Sequence, residues 1–136
     1  MYDPFPPPPA ATLEDLAALA AATPGLRLLV LFGSRARADA GPGSDWDLGY
    51  IAGEGFDPDA LLADLITRLN TERVDLVDLE RANGLLRYRA AAEGKPLHEA
   101  APGEFERFWL DALSFWFDAE PILLAGYDDV LERIGR

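Results

Sequence analysis

The run Leu26-Arg-Leu-Leu-Val-Leu-Phe32 limits what this chain can fold into more than any other stretch. It is a β-prone apolar segment interrupted only by Arg27 and closed by Gly33, which reads as a buried strand. Further along, "DWDLGYI" at 45–51 alternates as a strand does, and "RVDLVDL" at 73–79 is a third strand. Between them the signals are helical. Thr12 with Asp15 makes an N-cap pattern ahead of "LEDLAALAAA", which Pro24-Gly25 stops. Residues 34–38 are read as a short helix and "AGPGS" as a loop. Asp57-Pro58 opens a helix on "ALLADLITRL", and another runs from about Asn83 to Ala92, ended by Gly94 and Pro96.

The last third is helical. Phe105, Phe108, Trp109, Ala112, Leu113, Trp116 and Phe117 recur at helical spacing, first of all a core face. Leu110 and Phe115 lie off that stripe and, if exposed, give the helix a second apolar face for a partner or another copy. Pro121 starts a final short helix through Ile134. The order describes an α+β domain, a small mixed β-sheet with flanking helices and a helical C-terminus. Residues 1–11, "MYDPFPPPPAA", form a flexible Pro-rich tail; residues 12–136 form one domain, with its C-terminal helices from about residue 102.

Composition narrows the chemistry. At 136 residues the chain suits one domain. Without cysteine, disulfides and zinc–thiolate sites are excluded, and His98, the sole histidine, argues against a Ser-His-Asp triad. Carboxylate oxygen remains as the metal donor, which suits Mg²⁺ or Mn²⁺. A net charge of -12 argues against direct nucleic-acid binding and favours a basic protein partner or acids gathered around cations. No apolar run spans a bilayer and the N-terminus has no signal-peptide pattern, so a cytoplasmic location is the default expectation.

The acids are arranged to some purpose. Residues i and i+2 on a strand share a face, so Asp45 and Asp47 project together while Trp46, Leu48 and Tyr50 turn the other way. Two such carboxylates repel unless a cation lies between them. The third strand offers Asp75 and Asp78, of opposite parity; Asp75 is the better placed to join the pair, Asp78 to be solvated. Three carboxylates on neighbouring strands can hold two Mg²⁺ ions roughly 4 Å apart, as in-line phosphoryl displacement requires. Gly33-Ser34 at a strand end would let a phosphate approach the backbone. Arg35 and Arg37 either reach a triphosphate or balance the acids, and Arg73 is expected to support the carboxylates.

Gly33-Ser34, ten residues, then Asp45-Trp46-Asp47 resembles the G-S-x10-D-x-D signature of the DNA polymerase β-like nucleotidyltransferases, with Asp75 matching their third acid. The small size is similar to the minimal nucleotidyltransferases of the MntA type, and the resemblance covers about residues 12–98. It implies a polymerase β palm-like fold, and a metal site at Asp45, Asp47 and Asp75. Asp75 would also help deprotonate the acceptor, and Gly33, Ser34 and Arg35 would hold ATP. It further implies an antitoxin that transfers AMP to a tyrosine of a HEPN-domain ribonuclease toxin. The alternatives are nucleotidyl transfer to a small molecule such as an aminoglycoside, and a masking antitoxin without catalysis.

Overall fold

The computed structural model describes residues 12–41 and 43–117. The expected tail 1–11 and the helix expected after Pro121 lie outside the described residues. In chain order the elements are α1 (Leu13–Ala21), β1 (Leu26–Phe32), β2 (Trp46–Ala52), α2 (Pro58–Leu69), β3 (Val74–Asp78), α3 (Gly84–Glu93), β4 (Lys95–Glu99) and α4 (Glu104–Phe117). The helix starts follow local chemistry. The Thr12 hydroxyl accepts from the Asp15 amide while the Asp15 carboxylate accepts from the Thr12 amide, a reciprocal capping box. Asp57 caps α2 ahead of Pro58, and Asn83 caps α3 by accepting from the Leu86 amide.

The strands form one mixed sheet in the order β3-β2-β1-β4. β1 pairs antiparallel with both β2 and β4, and β2 pairs parallel with β3. β4 differs from the expectation that Gly94 and Pro96 only end a helix: proline is tolerated on an edge strand, where one side of the backbone needs no partner.

Both faces of β1 are covered, as its apolar run from Leu28 to Phe32 demands. Leu29 and Leu31 pack with Leu48 against Leu16 and Ala20 of α1 and Leu61 and Leu65 of α2. Leu28, Val30 and Phe32 pack on the opposite face with Ala90 and Ala91 of α3 and Phe108 and Ala112 of α4. Each fully buried leucine contributes about 1.5–3 kcal/mol relative to exposure. Arg27, the one polar residue of the strand, reaches Glu104 at 3.0 Å and so ties β1 to the start of α4. The stripe on α4 is a core face in part: Phe108, Ala112 and Leu113 are buried, while Leu110 is 37% exposed.

One glycine in the sheet is set by packing. Gly49 of β2 lies under the buried Leu79, and a Cβ there would sit 2.6 Å from Leu79 Cδ2. Gly49→Val should therefore destabilise the fold by about 1–3 kcal/mol in urea denaturation. The control Gly41→Ala, where an added Cβ meets nothing within 4 Å, should stay within about 0.5 kcal/mol of the parent.

Candidate active site

The acids gather where β1 ends and β2 and β3 begin. Parallel pairing sets Asp47 directly opposite Asp75, and Asp45 precedes β2 by one residue. Trp46, Leu48 and Tyr50 pack on the α1/α2 side. Asp47 and Asp75 therefore share the other face with Ile51 and Val77, which pack toward α3 and α4. Asp45 and Asp75 are exposed and Asp47 is half-buried. Asp78 occupies the opposite parity and forms a 3.7 Å ion pair with Arg81, away from the group.

Gly33 completes this corner. It pairs next to the Phe32–Asp47 rung and has φ +75°, and a Cβ on it would run into the Asp47 carboxylate. Only glycine combines that backbone conformation with so close an approach. The residues after it form overlapping hydrogen-bonded turns, the second closed by the Asp39 amide on the Ser34 carbonyl at 3.1 Å, rather than the short helix expected from the sequence. The Gly33 carbonyl accepts from the Ala36 and Arg37 amides, both at 3.1 Å, and Ala38 turns left-handed at φ 62°. The amides of residues 36 and 37 are thus consumed inside the turn.

The loop back to Asp45 is held by two arginines on adjacent carbonyls. Arg35 donates from Nη2 to the Ser44 carbonyl at 2.8 Å and lies over the Trp46 ring, 4.2 Å from its centroid. Arg73 donates from Nη1 to the Gly43 carbonyl at 2.7 Å. Arg35, expected at the phosphates, is therefore placed against Trp46, which packs on the far side of the sheet from Asp47. Arg73, expected to support the carboxylates, supports the loop instead. Arg37 bridges Asp39 at 3.2 Å and Glu93 of α3 at 2.9 Å, and so ties the Gly33 turn to the last turn of α3. That tie and the nearby Arg89 were invisible in the sequence, because nothing local says which end of α3 meets the Gly33 turn.

Electrostatically the corner is strained. Burial raises the Asp47 carboxyl above its ordinary value; the Asp75 charge adds to this, with a smaller push from Asp45, while Arg89 and Arg37 pull the other way. Among the described residues no three acids close into a protein-only cage for an ion. The arrangement suits an ion that arrives with a substrate: Mg²⁺ keeps waters and takes one or two carboxylates plus phosphate oxygens, rather than a complete protein shell. The donors are hard oxygens, and the unrelieved repulsion between Asp47 and Asp75 is what a divalent cation would remove. A cavity of about 240 Å³, lined by Arg27, Ile51, Arg87, Glu104 and Phe108 among others, opens at the other end of this sheet face and contains none of the predicted site residues.

The family model described as polymerase beta, nucleotidyltransferase matches residues 14–102. The chain belongs to this nucleotidyltransferase family. It is 31% identical over 98 residues to the protein adenylyltransferase MntA of Aphanizomenon flos-aquae, covering 62% of this chain and 65% of that protein, so it spans about two thirds of that relative's length. A toxin–antitoxin crystal structure with AMP-PNP superposes with a TM-score of 0.68 at 27% identity, over 89% of this chain and 99% of the other. A complex of tri-AMPylated Shewanella oneidensis HEPN toxin with MNT antitoxin gives a TM-score of 0.61 at 27% identity, over 88% and 95%. A mutant MntA complex in which two aspartates, spaced as Asp-x-Asp, are replaced by glutamate gives 0.66 at 26% identity, over 89% and 99%.

The raised Asp47 carboxyl carries a stability consequence. The folded, metal-free protein disfavours the ionised form, so stability falls as pH rises from the ordinary carboxylate value through the raised one. Asp47→Asn should therefore melt higher than the parent at pH 7 without divalent ions. The gap should close at about pH 3, where the carboxyl is largely protonated in both states. Thermal melts at the two pH values check this.

Proposed function

We propose that this chain is a Mg²⁺-dependent adenylyltransferase, an antitoxin that transfers AMP from ATP to a tyrosine of a HEPN-domain toxin. The observation that carries the reading is the corner itself, with Asp47 facing Asp75 across parallel strands and Gly33 laid against the Asp47 carboxylate. The likeness to structures of toxin–antitoxin complexes, one with AMP-PNP and one with an AMPylated toxin, supports the same activity and partner. Among the described residues no helix is long and apolar enough to cross a membrane, in keeping with action on a cytoplasmic partner.

In this reading Asp45 and Asp47 hold the divalent ions, with Asp75 beside them. The bound metal supplies charge neutralisation at the α-phosphate and the leaving pyrophosphate. Gly33 gives the phosphates room at the strand end, and the Ser34 hydroxyl donates to them. Arg35 serves the nucleotide from the opposite side of the sheet by fixing the loop that delivers Asp45. Asp75 accepts the proton of the acceptor hydroxyl as its oxygen attacks the α-phosphorus. The bond from that phosphorus to the bridging oxygen of the β-phosphate breaks, and pyrophosphate leaves with the electron pair. Positioning and electrostatics account for most of the acceleration. The acidity of the chain complements the basic surface expected of an RNA-cleaving partner.

Intact-mass spectrometry of the partner toxin, after incubation with this protein, Mg²⁺ and each nucleoside triphosphate, tests the proposal. A gain of one or more AMP units with ATP is expected, reduced about a hundredfold or more in initial rate by Asp45→Asn or Asp47→Asn. Tight complex formation with no mass gain from any nucleotide would replace transfer by masking. Modification of an aminoglycoside but not of the toxin would move the acceptor to a small molecule.

A further inference from the structure

The site as described has more negative charge than its own cations answer. Three acids meet a triphosphate there, and the arginines nearest in sequence are occupied. Arg35 is held by the Ser44 carbonyl and the Trp46 ring, Arg73 by the Gly43 carbonyl, and Arg37 by two carboxylates. Arg89 of α3 is different. It is exposed, and among the described residues it makes no hydrogen bond or ion pair.

Its position is fixed from two directions. Ala90 and Ala91 are buried against β1, which pins the helix rotation about Arg89. Glu93, one turn on and on the same helix face, is bonded to Arg37 of the Gly33 turn at 2.9 Å. The last turn of α3 is thereby docked at the end of β1, where Gly94 lies against Val30 and Lys95 pairs with Leu31. Arg89 thus belongs to the helix turn that docks at this corner, on the layer covering the sheet face that carries Asp47 and Asp75. Arg89 lies near enough to act on the Asp47 carboxylate through its charge.

Building on the adenylyltransferase reading, we propose that Arg89 binds the β- and γ-phosphates of the nucleotide, as the cation contributed by α3. Guanidinium suits the task, since its planar fork donates two parallel hydrogen bonds to phosphate oxygens and stays charged at any working pH. The same group faces pyrophosphate as it departs. That it forms no ion pair among the described residues is then functional, because a paired arginine would have to break that pairing before engaging the nucleotide.

The test compares binding of AMP-PNP and of AMP to the full chain in the presence of Mg²⁺, by calorimetry. Arg89→Ala should weaken AMP-PNP about ten- to a hundredfold and leave AMP within about twofold, and Arg89→Lys should recover part of the loss. In the transfer assay the same variant should raise the KM for ATP more than it lowers kcat. Equal weakening of both ligands, or no change in either, would overturn the assignment and leave Arg89 as a counter-charge to Asp47. The adenylyltransferase activity has its own outcome: if the parent chain adds no AMP to the toxin with any nucleotide, that activity fails; if the parent transfers AMP while Arg89→Ala binds AMP-PNP normally, only the role of Arg89 fails.

Discussion

Burial of the strand Leu26–Phe32 on both faces is the constraint from which the architecture follows. A strand with leucine or valine pointing each way cannot sit at an edge with one side wet. It needs strand neighbours on both sides and a helical layer above and below. The α1/α2 layer and the α3/α4 layer supply those covers, and β2 and β4 supply the backbone partners. Because β1 is held from all four sides, its end at Gly33 is a rigid place from which to present a backbone turn. Polar chemistry belongs at such an end, since water and substrate reach it while the strand behind stays dry.

At that end the fold keeps an arrangement that costs stability. Asp47 is half-buried beside Asp75, and both burial and the like charge disfavour its ionised state. Apolar residues at 47 and 75 would satisfy the sheet better, in line with the neighbouring pairs Leu48–Leu76 and Gly49–Val77. The exchange of stability for function is common where a cation is to be bound, because the repulsion relieved by the ion adds to its affinity. Gly33 belongs to the same compromise. Its positive φ and missing side chain let the Asp47 carboxylate lie against the strand end, at the entropic expense of a glycine.

The arginines show how a chain of net charge -12 distributes its few cations around such a corner. Arg35 and Arg73 spend theirs on backbone carbonyls, which fixes the loop into Asp45 from two elements far apart in sequence. Arg37 joins the turn to α3. These contacts make the geometry of the acids a property of the whole domain: the loop is anchored to β3 through Arg73 and the turn to α3 through Arg37.

Much of this was legible in the residues, because it depends on short-range periodicity. The apolar run named β1, alternation put Asp47 on the face opposite Trp46, Leu48 and Tyr50, Thr12 with Asp15 and Asp57 with Pro58 named helix starts, and parity separated Asp75 from Asp78. Other features lay beyond its reach. β4 hid behind Pro96 because edge position is a property of the finished sheet. The turn after Gly33 passed for a helix because its closure depends on the left-handed Ala38. The direction of Arg35 toward Trp46 depends on how the loop folds back over the sheet. The charge that Arg89 brings to bear on Asp47 depends on α3 docking with its last turn at the end of β1. The sequence by itself determined which side chains the site has to work with and which face of each strand carries them, because alternation along a strand is a local geometric rule. The tertiary structure alone decided the parallel register that sets Asp47 opposite Asp75 and the cations that surround them, because those depend on packing between segments tens of residues apart.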